Sequence, residues 1–320
     1  MTTLILQHSD CLRHTTGLRH VERPERVTAV LGAVDGMPGT ETLPAPRASV
    51  EQLQAAHNAE YWRRIVELEP SGEPDGDGAG ITALDADTFL SAGSIDATLR
   101  GSGAACFAID QIQAGKAKNA FCAVRPPGHH ATAGIAMGFC LLNHVAVAAR
   151  HAIASQAAEK VAILDFDVHH GNGTQAIFQD SPEVLFVSSH QMPLYPGTGY
   201  PTEIGCGNIF NLPLVPGNGS AEFRDAWTKR GLPQLEKFQP DLVLISAGFD
   251  AHKRDPLGQL MLTDEDYGWI TAEICQVAAS AGGGRVVGMG GGGCDREGLG
   301  AAATARGGGR AGGWGWVRVS

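Results

Sequence analysis

Three short runs of this chain are apolar at every position: Ala162-Ile163-Leu164, Val184-Leu185-Phe186-Val187 and Leu242-Val243-Leu244-Ile245. A strand with one wet face alternates apolar and polar residues, whereas a strand covered on both faces has no reason to. The runs therefore predict a parallel sheet sandwiched between helices. Leu4-Ile5-Leu6 and Val286-Val287 read as further strands. Helical apolar spacing over Ser94–Ile112, around Asn143–Ala154 and over Phe223–Phe238 supplies the covering layers, and Pro24 suits the opening of a helix carrying Val27, Val30 and Leu31. The repeated strand–helix order predicts a three-layer α/β fold, with residues 1–320 as a single domain. Residues 70–80, rich in Pro, Gly, Asp and Glu, read as a surface loop. Residues 282–320 hold clusters such as Gly290-Gly291-Gly292-Gly293 and Gly307-Gly308-Gly309. Glycine costs a helix interior roughly 1 kcal/mol relative to alanine, so this stretch is expected to form an atypical terminus without a regular final helix.

Charge narrows the partners. With 24 Lys and Arg against 34 Asp and Glu, the net charge is -10, which argues against a nucleic-acid backbone as the main ligand. A cationic substrate stays compatible with such a surface. No apolar stretch reaches transmembrane length, and the opening residues lack the basic segment and apolar core of a secretory signal, so no membrane partner and a cytoplasmic location are expected. The seven cysteines are odd in number and contain no C-x-x-C pair, which disfavours a disulfide framework.

The chemistry gathers at strand ends. The run Val161–Leu164 stops at Asp165-Phe166-Asp167-Val168-His169-His170-Gly171-Asn172. Buried carboxylates and imidazoles need pairing or a metal ion. Asp167 and His169, two apart, point to one side of an extended segment. Asp250 follows the run Leu242–Ile245 at the equivalent place, the carboxyl end of a strand, where open α/β sheets bind ligands. Asp167, His169 and Asp250 together offer a divalent ion three O and N ligands and leave a position for water or substrate. Zn²⁺ is the first choice, with Fe²⁺ or Co²⁺ fitting similar ligands. His252 reads as a rim residue rather than a fourth ligand. In Arg125-Pro126-Pro127-Gly128-His129-His130, two prolines and a glycine stiffen the chain just before paired histidines able to take and return a proton near neutral pH. Asp165 and Asn172 can each orient a histidine through its Nδ1, although Asn172 also fits a purely structural Gly-Asn-Gly turn. Asp165, with Ser188 and nearby carbonyls, can also hold a monovalent cation. Phe139 and Tyr195, on glycine-bearing loops, suit the walls of a narrow slot, with Leu257 on its apolar rim.

Taken in order, His20–Arg26, Arg125–His130, Gly138-Phe139-Cys140, Asp165–Thr174, Tyr195–Gly199 and Gly248–Asp250 resemble the zinc-dependent histone deacetylase and acetylpolyamine amidohydrolase family of the arginase/deacetylase superfamily, and its class II-like bacterial members in particular. The resemblance covers about Leu4 to Ala305. It implies a central parallel sheet of about eight strands and one Zn²⁺ on Asp167, His169 and Asp250. It also implies His130 as general base and then acid, His129 as its electrostatic assistant, and Asp165 and Asn172 as their partners. Phe139 and Tyr195 would flank an acyl-lysine or acylamine channel, and a structural K⁺ would lie beside Asp165. The expected reaction is zinc-dependent hydrolysis of an acylated amine, a non-peptide C–N bond. Two alternatives stand beside it: hydrolysis of another small amide or ester with little acetyl-lysine activity, or acyl-ligand binding without turnover. A homo-oligomer is compatible with all three. One position departs from the family pattern. Where Gly-Gly-Tyr supplies an oxyanion donor, this chain has Gly292-Gly293-Cys294, and by analogy losing such a donor costs roughly 3 kcal/mol, or about a hundredfold in rate.

Overall fold

The computed structural model describes residues 2–17, 20–72 and 80–293. Its strands are β1 (Thr3–Gln7), β2 (Thr40–Pro44), β3 (Ile81–Ala83), β4 (Phe89–Ser91), β5 (Asn119–Cys122), β6 (Val161–Asp165), β7 (Val184–Gln191), β8 (Ile209–Leu214), β9 (Leu242–Ala247) and β10 (Val286–Gly290). Eight of them form one parallel sheet in the order β2-β1-β5-β10-β9-β6-β7-β8, while β3 and β4 make a separate antiparallel pair.

The all-apolar runs are buried on both faces, as their lack of alternation requires. Leu4, Leu6, Val161, Ile163, Leu242 and Leu244 belong to one buried cluster, and the intervening Ile5, Ala162, Leu164, Val243 and Ile245 to another. The helices are α1 (Glu25–Val34), α2 (Val50–Gln54), α3 (Ala59–Leu68), α4 (Ser94–Gln113), α5 (His144–Ala154), α6 (Asn172–Phe178), α7 (Ser220–Ala226), α8 (Leu232–Phe238) and α9 (Asp264–Gly282). Alanine-rich α4 and α5 bring Ala104, Ala105, Ala108, Val145, Ala148 and Ala149 to the first cluster. On the opposite face, α1, α8 and α9 contribute Val27, Val30, Leu235, Ile270 and Ile274. The result is the three-layer α/β architecture expected. No helix among the described residues is long and apolar enough to cross a membrane.

Local signals explain several boundaries. Pro24 sits at the N-cap of α1, and the Asn143 side chain caps α5 by accepting from Ala146 N–H. The helix expected over Phe223–Phe238 is carried by α7 and α8, joined through a π-helical segment at Trp227–Gly231. Pro233 has no N–H to donate back into the preceding turn, and Gly231 is packed so closely on the Trp227 ring that a Cβ would stand 2.6 Å from it. The edge strands β2 and β8 carry polar residues and prolines, which hid them in the sequence. Of the expected surface loop, Ser71 and Gly72 are exposed, and residues 73–79 lie outside the described part. Cys294 and most of the glycine-rich 282–320 segment also lie outside it.

Candidate active site

Adjacent strands β6 and β9 run in register, with Asp165 opposite Ser246, and their carboxyl ends place Asp167, His169 and Asp250 together. One ligand atom from each lies within 4.8 Å of the others. His169 Nδ1 is 3.0 Å from Asp167 Oδ1 and 3.2 Å from Asp250 Oδ2. Backbone amides pin the carboxylates from behind: Val168 N–H donates to Asp250 Oδ1 (2.7 Å), His169 N–H to Asp167 Oδ1 (2.9 Å) and Gly292 N–H to Asp167 Oδ2 (2.9 Å). A Cβ on Gly292 would overlap Oδ2 of both Asp167 and Asp250, so only glycine lets the turn after β10 approach them this closely.

The electrostatics of the three groups call for a cation. Burial and the neighbouring Asp167 charge push the Asp250 carboxyl up to about 7. Burial alone would lower the His169 pKa, but hydrogen bonds to Asp167 and Asp250 outweigh it and raise it to about 10. A proton on His169 thus does for two buried carboxylates what a metal ion would do better. The O, N, O donor set fits a divalent ion such as zinc.

Beside this cluster stand two histidine pairs of opposite character. His129 Nδ1 donates to Asp165 Oδ2 at 2.9 Å. Burial lowers the His129 pKa, yet the charges of Asp165 and Asp167 prevail and hold it up at about 9. His130 Nδ1 lies 2.7 Å from Asn172 Oδ1. The Asn172 amide nitrogen faces the His130 carbonyl and the Met137 sulfur, so its oxygen must face the ring, and His130 Nδ1 carries the proton. Burial, reinforced by His129 and His169, keeps the His130 pKa well below the usual value. His130 is therefore a neutral imidazole with an open Nε2 lone pair. Its ring packs 4.0 Å from that of His129, centroid to centroid. Gly138, at φ +56°, makes room for it, since a Cβ there would overlap the His130 ring.

A cavity of about 270 Å³ opens onto these groups, and His129, His130, Asp167, His169, Asp250, Phe139, Tyr195 and Leu257 all line it. Tyr195 stands edge-on to His130 at 5.2 Å. Phe139 adopts a positive φ of 68°, rare for an aromatic residue, and is braced by the edge-on His20 ring at 4.8 Å. Ser188 is buried opposite Asp165 in the β6–β7 register and pairs its hydroxyl with His190. His252 is not on the rim. It is 3% exposed, stacked on Tyr267, with Nε2 3.3 Å from Asp264 Oδ1, because the 251–255 turn folds back toward α9. Arg26, Asp87, Leu194, Gly292 and Gly293 also line the cavity. Of these, Gly292 and Gly293 stand in the segment that departs from the family pattern and Arg26 in the charged His20–Arg26 segment, whereas Asp87 had no signal in the sequence.

With this geometry established, comparison with known proteins is decisive. Residues 20–306 match the histone deacetylase domain. The chain belongs to the histone deacetylase family. It is 37% identical over 307 residues to a probable deacetylase of Archaeoglobus fulgidus, covering 93% of this chain and 83% of that one. Identity to the histone deacetylase-like amidohydrolase of Pseudomonas aeruginosa is 38% over 277 residues, covering 84% and 70% respectively. The crystal structure of the HDA15 HD domain superposes with a TM-score of 0.85 at 34% identity, covering 95% of this chain and 89% of that one.

Proposed function

We propose that this protein hydrolyses an acylated amine, using a zinc ion held by Asp167, His169 and Asp250 within a single domain. The observation carrying this reading is the placement of a neutral histidine, His130, beside a three-ligand cluster in one cavity. When bound, zinc supplies Lewis acidity, polarising the acyl carbonyl and making water easier to deprotonate.

The chain's own residues do the rest. His130, its Nδ1 proton fixed on Asn172, accepts a proton at Nε2 as water attacks the acyl carbon. It then delivers that proton to the departing nitrogen. His129, held protonated by Asp165, keeps its positive charge next to the developing negative charge and is a poor base at neutral pH. Phe139 and Tyr195 flank the extended arm of the substrate, and Leu257 borders the entrance. The products are a carboxylate and a free amine. A potassium ion between Asp165 and Ser188 belongs to the same proposal as a structural element.

The test is a substrate panel with zinc-loaded protein: acetyl-lysine peptide, trifluoroacetyl-lysine peptide, acetylputrescine and an aryl ester. Multiple turnover on an amide and one zinc per chain are expected, both lost in Asp250→Ala. Stoichiometric zinc in that variant counts heavily against the assignment. Cys294→Tyr, assayed alongside, is expected to raise acetyl-amide turnover by about a hundredfold, the worth of an oxyanion donor.

A further inference from the structure

A buried ionic hub lies behind the cavity, and the mechanism above does not use it. Glu22 is fully buried. Arg125 grips its carboxylate in a two-pronged pair, Nε to Oε1 at 2.8 Å and Nη2 to Oε2 at 2.7 Å. Arg26 Nη1 adds a third bond to Oε1 at 3.2 Å, and His14 Nε2 lies 3.4 Å from Oε2. Burial alone would raise the Glu22 pKa, but Arg125 and His14 outweigh it, so the group stays ionised.

Each arginine leads to a different part of the active site. Arg125 spends its remaining Nη1 bonds on the carbonyls of Cys11 (2.7 Å) and His14 (2.6 Å), which fixes it at the root of the loop carrying His129 and His130. Arg26 reaches the other way, with Nε on Gly293 O at 2.5 Å and Nη2 on Gly291 O at 2.7 Å. Those carbonyls bracket Gly292, whose N–H holds Asp167 Oδ2. One carboxylate thus fastens both the imidazole half and the carboxylate half of the site.

We propose that Glu22 is a positioning residue for the reaction, holding Arg26 on the Gly291–Gly293 turn and Arg125 at the base of the histidine loop. The proposal rests on the zinc hydrolase reading. Two buried guanidinium groups bind this carboxylate, and removing its charge removes an attraction that holds both of them in place. Groups that orient metal ligands from behind typically alter metal affinity or activity by about 10- to 100-fold when replaced.

The experiment compares Glu22→Gln with the parent by zinc competition against a chromophoric chelator and by steady-state kinetics. Asp10→Asn serves as a control, since it removes a comparable N-terminal ion pair, Asp10 to Arg100 at 2.8 Å, outside the cavity. In Glu22→Gln, zinc affinity and kcat are each expected to fall by about 10- to 100-fold with KM little changed. Asp10→Asn is expected to lower Tm and leave both unaltered. Parental zinc affinity and kcat in folded Glu22→Gln overturn the proposal, as does an equal loss in Asp10→Asn. If Glu22→Gln does not fold, Glu22→Asp, which keeps the charge but shortens the reach, decides by the same two readouts. A parent that takes up no zinc and turns over no amide overturns the function itself, whereas an active parent with unaffected variants overturns only the role of Glu22.

Discussion

Asn172→Asp gives His130 the same kind of partner that His129 already has. At present His130 faces a neutral amide oxygen at 2.7 Å, while its neighbour His129 faces a carboxylate at 2.9 Å. The two rings are comparably buried, at 4% exposure each, yet their pKa values diverge, His129 to about 9 and His130 well below the usual value. A unit charge about 4 Å from the imidazolium, at an effective dielectric near 20, is worth about 4 kcal/mol, or about 3 pKa units. Raising the pKa of His130 makes it protonated over more of the pH range. Because the base must be neutral to act, the acid limb of the kcat profile should move up by about 2 to 3 units. The variant's loss should fall on the acid side and be recovered as pH rises. The assay is a kcat–pH profile on zinc-loaded protein, with metal content checked at each pH. An acid limb that stays in place in a folded, fully loaded variant refutes the assignment of His130 as the base and of Asn172 as its neutral tether.

Two further outcomes concern buried protons. His57 and His144 are buried, and their pKa values are lowered to about 4, chiefly by burial. Their unfolded forms titrate near 6.5, so stability is intact above that pH and is lost as pH falls toward about 4, by up to roughly 3 kcal/mol for each histidine. Urea midpoints at pH 7.5 and 5.0 should show the drop and His57→Gln should lessen it; a parental midpoint that is equal at both pH values refutes this account. In the metal-free protein His169 holds a proton to about 10, which zinc must displace. Zinc affinity should therefore weaken by about tenfold for each unit the pH falls between 8.5 and 7.5, and a flat competition curve over that range would show that the displaced proton is not there.

Much of this molecule could be read before its structure. Strands buried on both faces announced themselves because every side chain in Ala162–Leu164 or Leu242–Ile245 had to be apolar. The cluster of Asp167, His169 and Asp250 was visible because charges rarely follow such runs without a reason. The edge strands were not, since Thr40–Pro44 has solvent on one side and its pattern of Thr, Glu and Pro looks like a loop. His252 misled for a related reason: polarity in the chain does not reveal that a turn folds inward to pair with Asp264. Arg26 and Glu22 were legible only as charges. Their meaning depends on contacts with Arg125 and Gly291–Gly293, more than a hundred residues away, which no local pattern encodes.

The sheet order carries a consequence for how the enzyme comes into being. β10, the last described strand along the chain, is inserted between β5 and β9, and so stands between the part that leads into the paired imidazoles and the part that bears Asp167, His169 and Asp250. Until residues 286–290 take their place, the strands on either side, β2-β1-β5 and β9-β6-β7-β8, share no direct strand pairing. The turn that follows β10 also brings Gly292 N–H to Asp167, so the last described strand along the chain both joins the two halves of the sheet and completes the contacts around that carboxylate.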